Sequence, residues 1–186
     1  LFNEAMYACD FLVRMQAPSG AFYMNVFDQW TGDPTQRMVC EYVGQDGKRF
    51  DTWQCAYRQG GGLAIAVLAL ASTKKTSREY APKKYLEVAI KGFEHLEEHN
   101  TEYCNDGTEN IIDDYCALMA ATELHGATGD PKYMDAAQKR AKSLISRVSD
   151  DEQYKGWLRA DGRKRSFSHG AEAGLPVIAL LNLEEQ

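Results

Sequence analysis

A chain of 186 residues, 44% apolar and 26% charged, is long enough to bury a core of its own. Its longest apolar run, residues 63–71, is about half of what a bilayer requires, so no membrane span is expected. The formal net charge is −6, with Lys and Arg scattered apart from Arg163-Lys164-Arg165; no basic face exists for a phosphate backbone, and nucleic acid is not an expected partner.

Leu1, Ala5, Ala8, Cys9, Leu12 and Met15 recur at helical spacing and predict a helix over residues 1–16. No start methionine or capping residue precedes it, so sequence upstream of Leu1 is expected. Ala17-Pro18-Ser19-Gly20 are chain breakers. Alternation of Phe22, Met24 and Val26 with Tyr23, Asn25 and Phe27 predicts a short strand or extended loop, and the irregular stretch to about Asp51 is the kind of long loop that carries function.

A second helix begins near Arg58-Gln59-Gly60-Gly61-Gly62 and runs through residue 71, apolar on every face, so it must be surrounded. The third, residues 82–99, is two-sided: Tyr85, Val88, Ala89, Gly92, Phe93 and Leu96 oppose a charged face, which suits an outer layer. The fourth takes in residues 109–126. Gly129, Asp130 and Pro131 then supply a left-handed stop, a cap and a first-turn proline for the fifth, which continues through Tyr133, Ala137, Ala141, Leu144, Ile145 and Val148 with its basic residues outward. A last helix, starting near Leu175-Pro176, is again apolar nearly all round. This alternation of buried and amphipathic helices, with residues 62–68 and 174–180 as weak repeats, fits a toroid of helical hairpins or a flat solenoid of helix pairs.

Cys9, Cys40, Cys55, Cys104 and Cys116 are odd in number and widely spaced. They read as small buried hydrophobes, a pattern that leans towards a reducing, cytoplasmic compartment.

Several strings carry a resemblance. They are Phe11-Leu12-Val13-Arg14-Met15-Gln16 with Phe22-Tyr23-Met24, then Tyr57-Arg58-Gln59-Gly60-Gly61-Gly62, and Glu109-Asn110-Ile111-Ile112-Asp113-Asp114-Tyr115 with Thr128-Gly129-Asp130-Pro131. Gly156-Trp157-Leu158-Arg159-Ala160-Asp161 and His169-Gly170-Ala171-Glu172-Ala173-Gly174-Leu175-Pro176 complete them. In collinear order over nearly the whole chain these resemble glycoside hydrolase family 9, closer to its exo-acting glucosaminidase and glucosidase branch than to the endoglucanases. The resemblance implies an all-α (α/α)6 toroid, present over residues 1–186 as a partial barrel of about five to six helices. It also implies inverting hydrolysis of β-linked glucosamine or glucose oligosaccharides, with no cofactor. In the family the base lies in an Asp-Ala-(Ser)-Gly-Asp string before the region matching Leu1, and the acid in a Gly-Glu-Asn-type string beyond the region matching Gln186. Neither string occurs here, so the chain is expected to supply wall and substrate contacts but no catalytic carboxylate, and to be inactive by itself. A non-catalytic sugar-binding toroid and an epimerase-like toroid are the alternatives.

The expected substrate-binding residues are Tyr23, Asp28, Trp30, Arg58, Gln59, Glu109, Asp113, Asp114, Arg165, His169 and Glu172. Tyr23, Asp28 and Trp30 combine rings and a carboxylate, which suits sugar stacking and hydrogen bonding or the plugging of neighbouring loops. Arg58 and Gln59 precede glycines that allow close backbone approach. Glu109, Asp113 and Asp114 either place anions at a helix N-terminus or form a subsite for a glucosamine ammonium. Arg165, His169 and Glu172 gather before the last helix. His95-Leu96-Glu97-Glu98-His99 fits a zinc-peptidase pattern but sits at the polar end of an amphipathic helix; Asp106, Glu109 and Asn110 offer oxygens to calcium without the twelve-residue loop. No metal is therefore expected. The expected partners are an oligosaccharide and, through exposed apolar helix faces, further copies of the chain.

Overall fold

The computed structural model describes residues 1–28, 30–39, 42–43, 49–50, 53–75, 78–162 and 165–186. Cys40, Arg163 and Lys164 lie outside the described residues. Six α-helices dominate the described residues: α1 (Phe2–Arg14), α2 (Gly61–Ser72), α3 (Pro82–Tyr103), α4 (Ile111–Thr128), α5 (Pro131–Ser146) and α6 (Leu175–Glu184). None is long and apolar enough to cross a membrane.

The helices alternate in layer as their sequence patterns require. Helix α2 packs on α3 and α4, and α4 packs on α2, α5 and α6, so α2, α4 and α6 form the inner row of a partial toroid and α3 and α5 lie outside it. Adjacent inner helices run parallel. Gly62 and Cys116 meet near the starts of α2 and α4, and a Cβ on Gly62 would lie 2.7 Å from the Cys116 carbonyl oxygen; Gly126 meets Gln186 near the ends of α4 and α6. Ile65, Leu68, Leu96, Tyr115, Leu118 and Leu124 fill the shared core.

Local chemistry explains the boundaries. Pro82 and Pro131 occupy first turns, where a missing N–H costs nothing. Gly129 closes α4 at φ 69°, and the Asp130 carboxylate accepts from the Lys132 amide to open α5. Before α2, the extended residues expected near Phe22 pair with the chain ahead of Tyr57: the Cys55 amide donates to the Phe22 carbonyl and the Met24 amide to the Trp53 carbonyl. Two small antiparallel pairs follow in the long loop, β1 (Val26–Phe27) with β2 (Met38–Val39) and β3 (Tyr42–Val43) with β4 (Arg49–Phe50).

The structure corrects the sequence reading in five places. Helix α1 buries Met6, Cys9 and Asp10 while Ala5 and Ala8 face outward, because Asp10 is drawn in by the Tyr85 hydroxyl at 2.6 Å. Helix α2 is not covered on every side: Val67 and Leu70 are exposed, as are Val177, Ile178 and Leu181 of α6. Helix α3 continues past His99 to Tyr103. Helix α4 starts at Ile111, capped by Asn110, which leaves Glu109 outside it. Helix α5 stops at Ser146 with Ile145 and Val148 exposed, while Arg140 turns inward and is 8% exposed. Four of the cysteines, Cys9, Cys55, Cys104 and Cys116, are free and buried.

Candidate functional site

The starts of α2, α4 and α6 lie side by side at one end of the inner row, each preceded by a segment that carries expected site residues. N-terminal helix ends expose free amides and the positive end of the peptide dipoles, which is why carboxylates collect there. A single 3-10 turn, Tyr57–Gln59, leads into α2. Asn100 of α3, 3% exposed, fixes that turn by accepting from the Tyr57 amide at 2.7 Å. Through its amide nitrogen Asn100 also donates to Glu109 at 2.8 Å and Asp113 at 3.2 Å. The Tyr57 hydroxyl donates to Glu97.

Arg58 is held from several sides. Its guanidinium reaches Asp106 at 2.6 Å, Asn105 at 3.2 Å and Asp113 at 3.6 Å, and its backbone amide donates to Asp113. The Gln59 side chain accepts from the Ala56 amide and borders a cavity of about 350 Å³ shared with Met24, Trp53 and Tyr103.

The three carboxylates at α4 part company. Asp113 has no exposed surface; its Oδ2 accepts from the Asn110 amide while Asn110 caps Ile112, a reciprocal box. Burial raises the Asp113 carboxyl above the ordinary aspartate range, against the lowering pull of its hydrogen bonds and of Arg58. Asp114 is 3% exposed and receives Arg147, Ser143 and Arg140. Asp113 and Asp114 both lie behind the surface, held by these partners. Glu109 alone reaches a cleft, one of about 500 Å³ whose walls include Asp106, Asn110, Asp161 and Arg165. Arg140 forks onto both of its oxygens at 2.6 and 3.1 Å. Burial by itself would raise the Glu109 carboxyl, but the Arg140 hydrogen bond and charge outweigh it and hold it below the usual range.

That shift fixes a sign. A carboxylate whose folded pKa is depressed contributes stability that is present above its unfolded value, about 4.3 for glutamate, and is lost as pH falls through the folded value. Asp113, shifted upward, contributes in the opposite sense, its share fading as pH rises above about 4. Glu109→Gln should therefore flatten the loss of melting temperature expected below about pH 4 in the unsubstituted chain. An unchanged acid limb in a melting series from pH 7 to 3 would remove Glu109 from the acid response.

On the α6 side, the buried Tyr115 hydroxyl donates to Glu172 at 2.5 Å and is held far above the usual phenol range by burial first and Glu172 second. His169 accepts at Nδ1 from the Glu172 amide and is half exposed. Arg165 pairs with Asp161 at 3.4 Å and is largely exposed. In the long loop, Asp28 accepts from the Trp30 amide and closes a turn that holds Trp30 at φ 63°, edge-on to Phe27 at 5.3 Å and 62% exposed. Tyr23 bridges to Gln54, just before the Tyr57–Gln59 turn. The fold thus gathers Arg58, Gln59, Glu109, Arg165, His169 and Glu172 at the helix starts, joins Tyr23 to them through strand pairing, and builds Asp28 and Trp30 into their own turn.

The order and spacing of these segments match a known pattern. The family model described as glycosyl hydrolase family 9 aligns with residues 1–171. The chain belongs to glycosyl hydrolase family 9. No curated protein was found to match it. Family 9 membership makes the parent protein a glycoside hydrolase acting on O-glycosyl bonds, with a carbohydrate as its substrate. The family match covers the inner and outer helices from α1 to α5 and reaches the turn before α6.

Sequence reasoning missed Arg140, Asn100 and Arg147, which tie the site together. The Asn110-to-Asp113 spacing was a usable capping signal; nothing in the sequence marked Arg140 as inward. His95 and His99 are engaged with Tyr103 and Glu102, and among the described residues no three His, Cys, Asp or Glu side chains converge as a metal site.

Proposed function

We propose that this end of the inner row is part of the substrate cleft of an inverting hydrolase that acts on β-linked glucose or glucosamine oligosaccharides. Arg58, Gln59, Glu109, Arg165, His169 and Glu172 supply subsite contacts, Tyr23, Asp28 and Trp30 supply a flanking aromatic wall, and Asp113 and Asp114 support the wall from behind. The observation that carries this reading is the convergence of three inner-helix starts at one end in a family 9 chain. Inversion needs an acid and a base roughly 6.5–9.5 Å apart, leaving room for water between base and sugar. The family's strings for both are missing from these 186 residues, so the chain serves binding and shape.

Two measurements test this. The intact enzyme should release the α-anomer first from β-linked oligosaccharides, followed by proton NMR during turnover; a first-formed β-anomer would exclude inversion. The 186-residue chain alone should show no turnover of chromogenic glucosides or glucosaminides, since hydrolysis needs both carboxyl groups. Turnover abolished by one substitution at Glu109, Asp113 or Glu172 would place a catalytic group within the chain.

A further inference from the structure

We propose that Arg140 of the outer helix α5 is a positioning residue that fixes Glu109 in the cleft wall and cancels its charge there, so that this pair sets the discrimination between neutral and cationic sugars. The inference rests on the reading above that the cleft takes β-linked sugars.

Arg140 stands on an outer helix yet only 10% of its side chain is exposed. It crosses the layer to place its guanidinium over the Tyr57 ring, 5.4 Å from the centroid, and reaches Glu97 and Asp114 at 3.4 Å. Its two shortest bonds go to Glu109, one to each oxygen. A forked pair of this kind fixes a carboxylate in angle as well as place, which a lysine ammonium does not. With Asn100 also bonded to Oε1, that oxygen has both lone pairs engaged, and Oε2 retains one for a ligand donor.

The charge follows from the same geometry. Glu109, Asp106 and Asp161 line the cleft with Arg165; Asp106 is paired by Arg58 and Asp161 by Arg165. Glu109 is matched by Arg140 from behind, with Lys139 adding to the same field. Each wall carboxylate thus has an arginine beside it, Arg58 being shared with the buried Asp113 and Arg140 with Glu97 and Asp114. Such a wall accepts hydroxyl protons while its arginines offset the field that would draw an ammonium, and Arg140 is the partner closest to Glu109.

The test measures kcat/KM of the intact enzyme on glucose and glucosamine oligomers of equal length. Arg140→Gln uncovers Glu109 and should move the ratio about tenfold towards glucosamine; Arg140→Gln combined with Glu109→Gln should bring it back. Arg140→Lys keeps the charge but loses the fork, so the ratio should hold while KM rises for both sugars. A ratio unchanged in folded Arg140→Gln overturns the proposal. Should that variant fail to fold, Glu109→Gln alone removes the nearest counter-charge of Arg140 and should move the ratio away from glucosamine; no movement is equally fatal. Carboxyl NMR of Glu109 separates this inference from the reading beneath it. If the wild-type enzyme turns over neither sugar, the cleft reading fails, whereas a Glu109 titration that does not rise in Arg140→Gln refutes the pairing whatever the activity.

Discussion

Asp114→Ala is expected to cost the fold about 3–5 kcal/mol, a large share of the stability of an ordinary domain. Asp114 sits on the inner helix α4 with 4% of its side chain exposed. Arg147 approaches one oxygen at 2.7 Å, Ser143 approaches the same oxygen at 2.8 Å, and Arg140 approaches the other at 3.4 Å. All three partners belong to α5 or its C-terminal cap, so one carboxylate joins the inner layer to the outer one. Removal leaves Arg147 without its carboxylate and returns the whole charge of Arg140 to Glu109 and Glu97. Breaking a buried pair is costly chiefly because a charge stays behind in a place that water cannot reach. Asp114→Asn keeps the shape and one acceptor, so it should fall between wild type and alanine. Urea denaturation followed by far-ultraviolet circular dichroism measures the difference; a loss below about 1 kcal/mol would assign Asp114 the minor value of a surface pair.

The same network marks the boundary of what the sequence could disclose. Helix order, the inner and outer alternation and the Gly129-Asp130-Pro131 connection were legible because each depends on neighbours in the chain: periodicity, a cap, a left-handed glycine. Arg140 and Arg147 were not. On an amphipathic helix a basic residue beside an apolar stripe reads as solvated, and what draws these two inward is the Asp114 carboxylate, 26 and 33 residues away, together with Glu109, 31 residues from Arg140. The buried Asp10 of α1 misled in the same way, since its partner Tyr85 is 75 residues distant. Local chemistry specifies elements, whereas burial of charge is decided by tertiary partners. For the site, the family-like strings located the neighbourhoods of the helix starts, with α4 beginning two residues later than expected, and burial divided the carboxylates there: Glu109, lying before the cap, opens to the cleft, and Asp113 and Asp114, lying inside the first turn, do not.

Gly62→Val should destabilise the chain by about 3 kcal/mol and disturb the cleft as well as the core. A Cβ at this position would stand 2.7 Å from both the Cβ and the carbonyl oxygen of Cys116, and 2.8 Å from its carbonyl carbon. Two of those three atoms are backbone of α4, so no rotamer change relieves the clash; the two inner helices must separate. In an unconstrained helix, replacing glycine favours stability by up to about 1 kcal/mol, so any net loss has to come from the helix contact. Separation there also reaches the site, because Arg58 lies just before α2 and bonds through its amide to Asp113 in the first turn of α4. In the intact enzyme the substitution should therefore raise KM for oligosaccharides at temperatures where the fold is still intact. Gly162→Ala is the control: nothing lies within 4 Å of its added Cβ, and its effect should stay within about 0.5 kcal/mol. Equal denaturation midpoints for the two variants would show that α2 and α4 have room to spare at this contact and that their close approach does not hold the cleft in register.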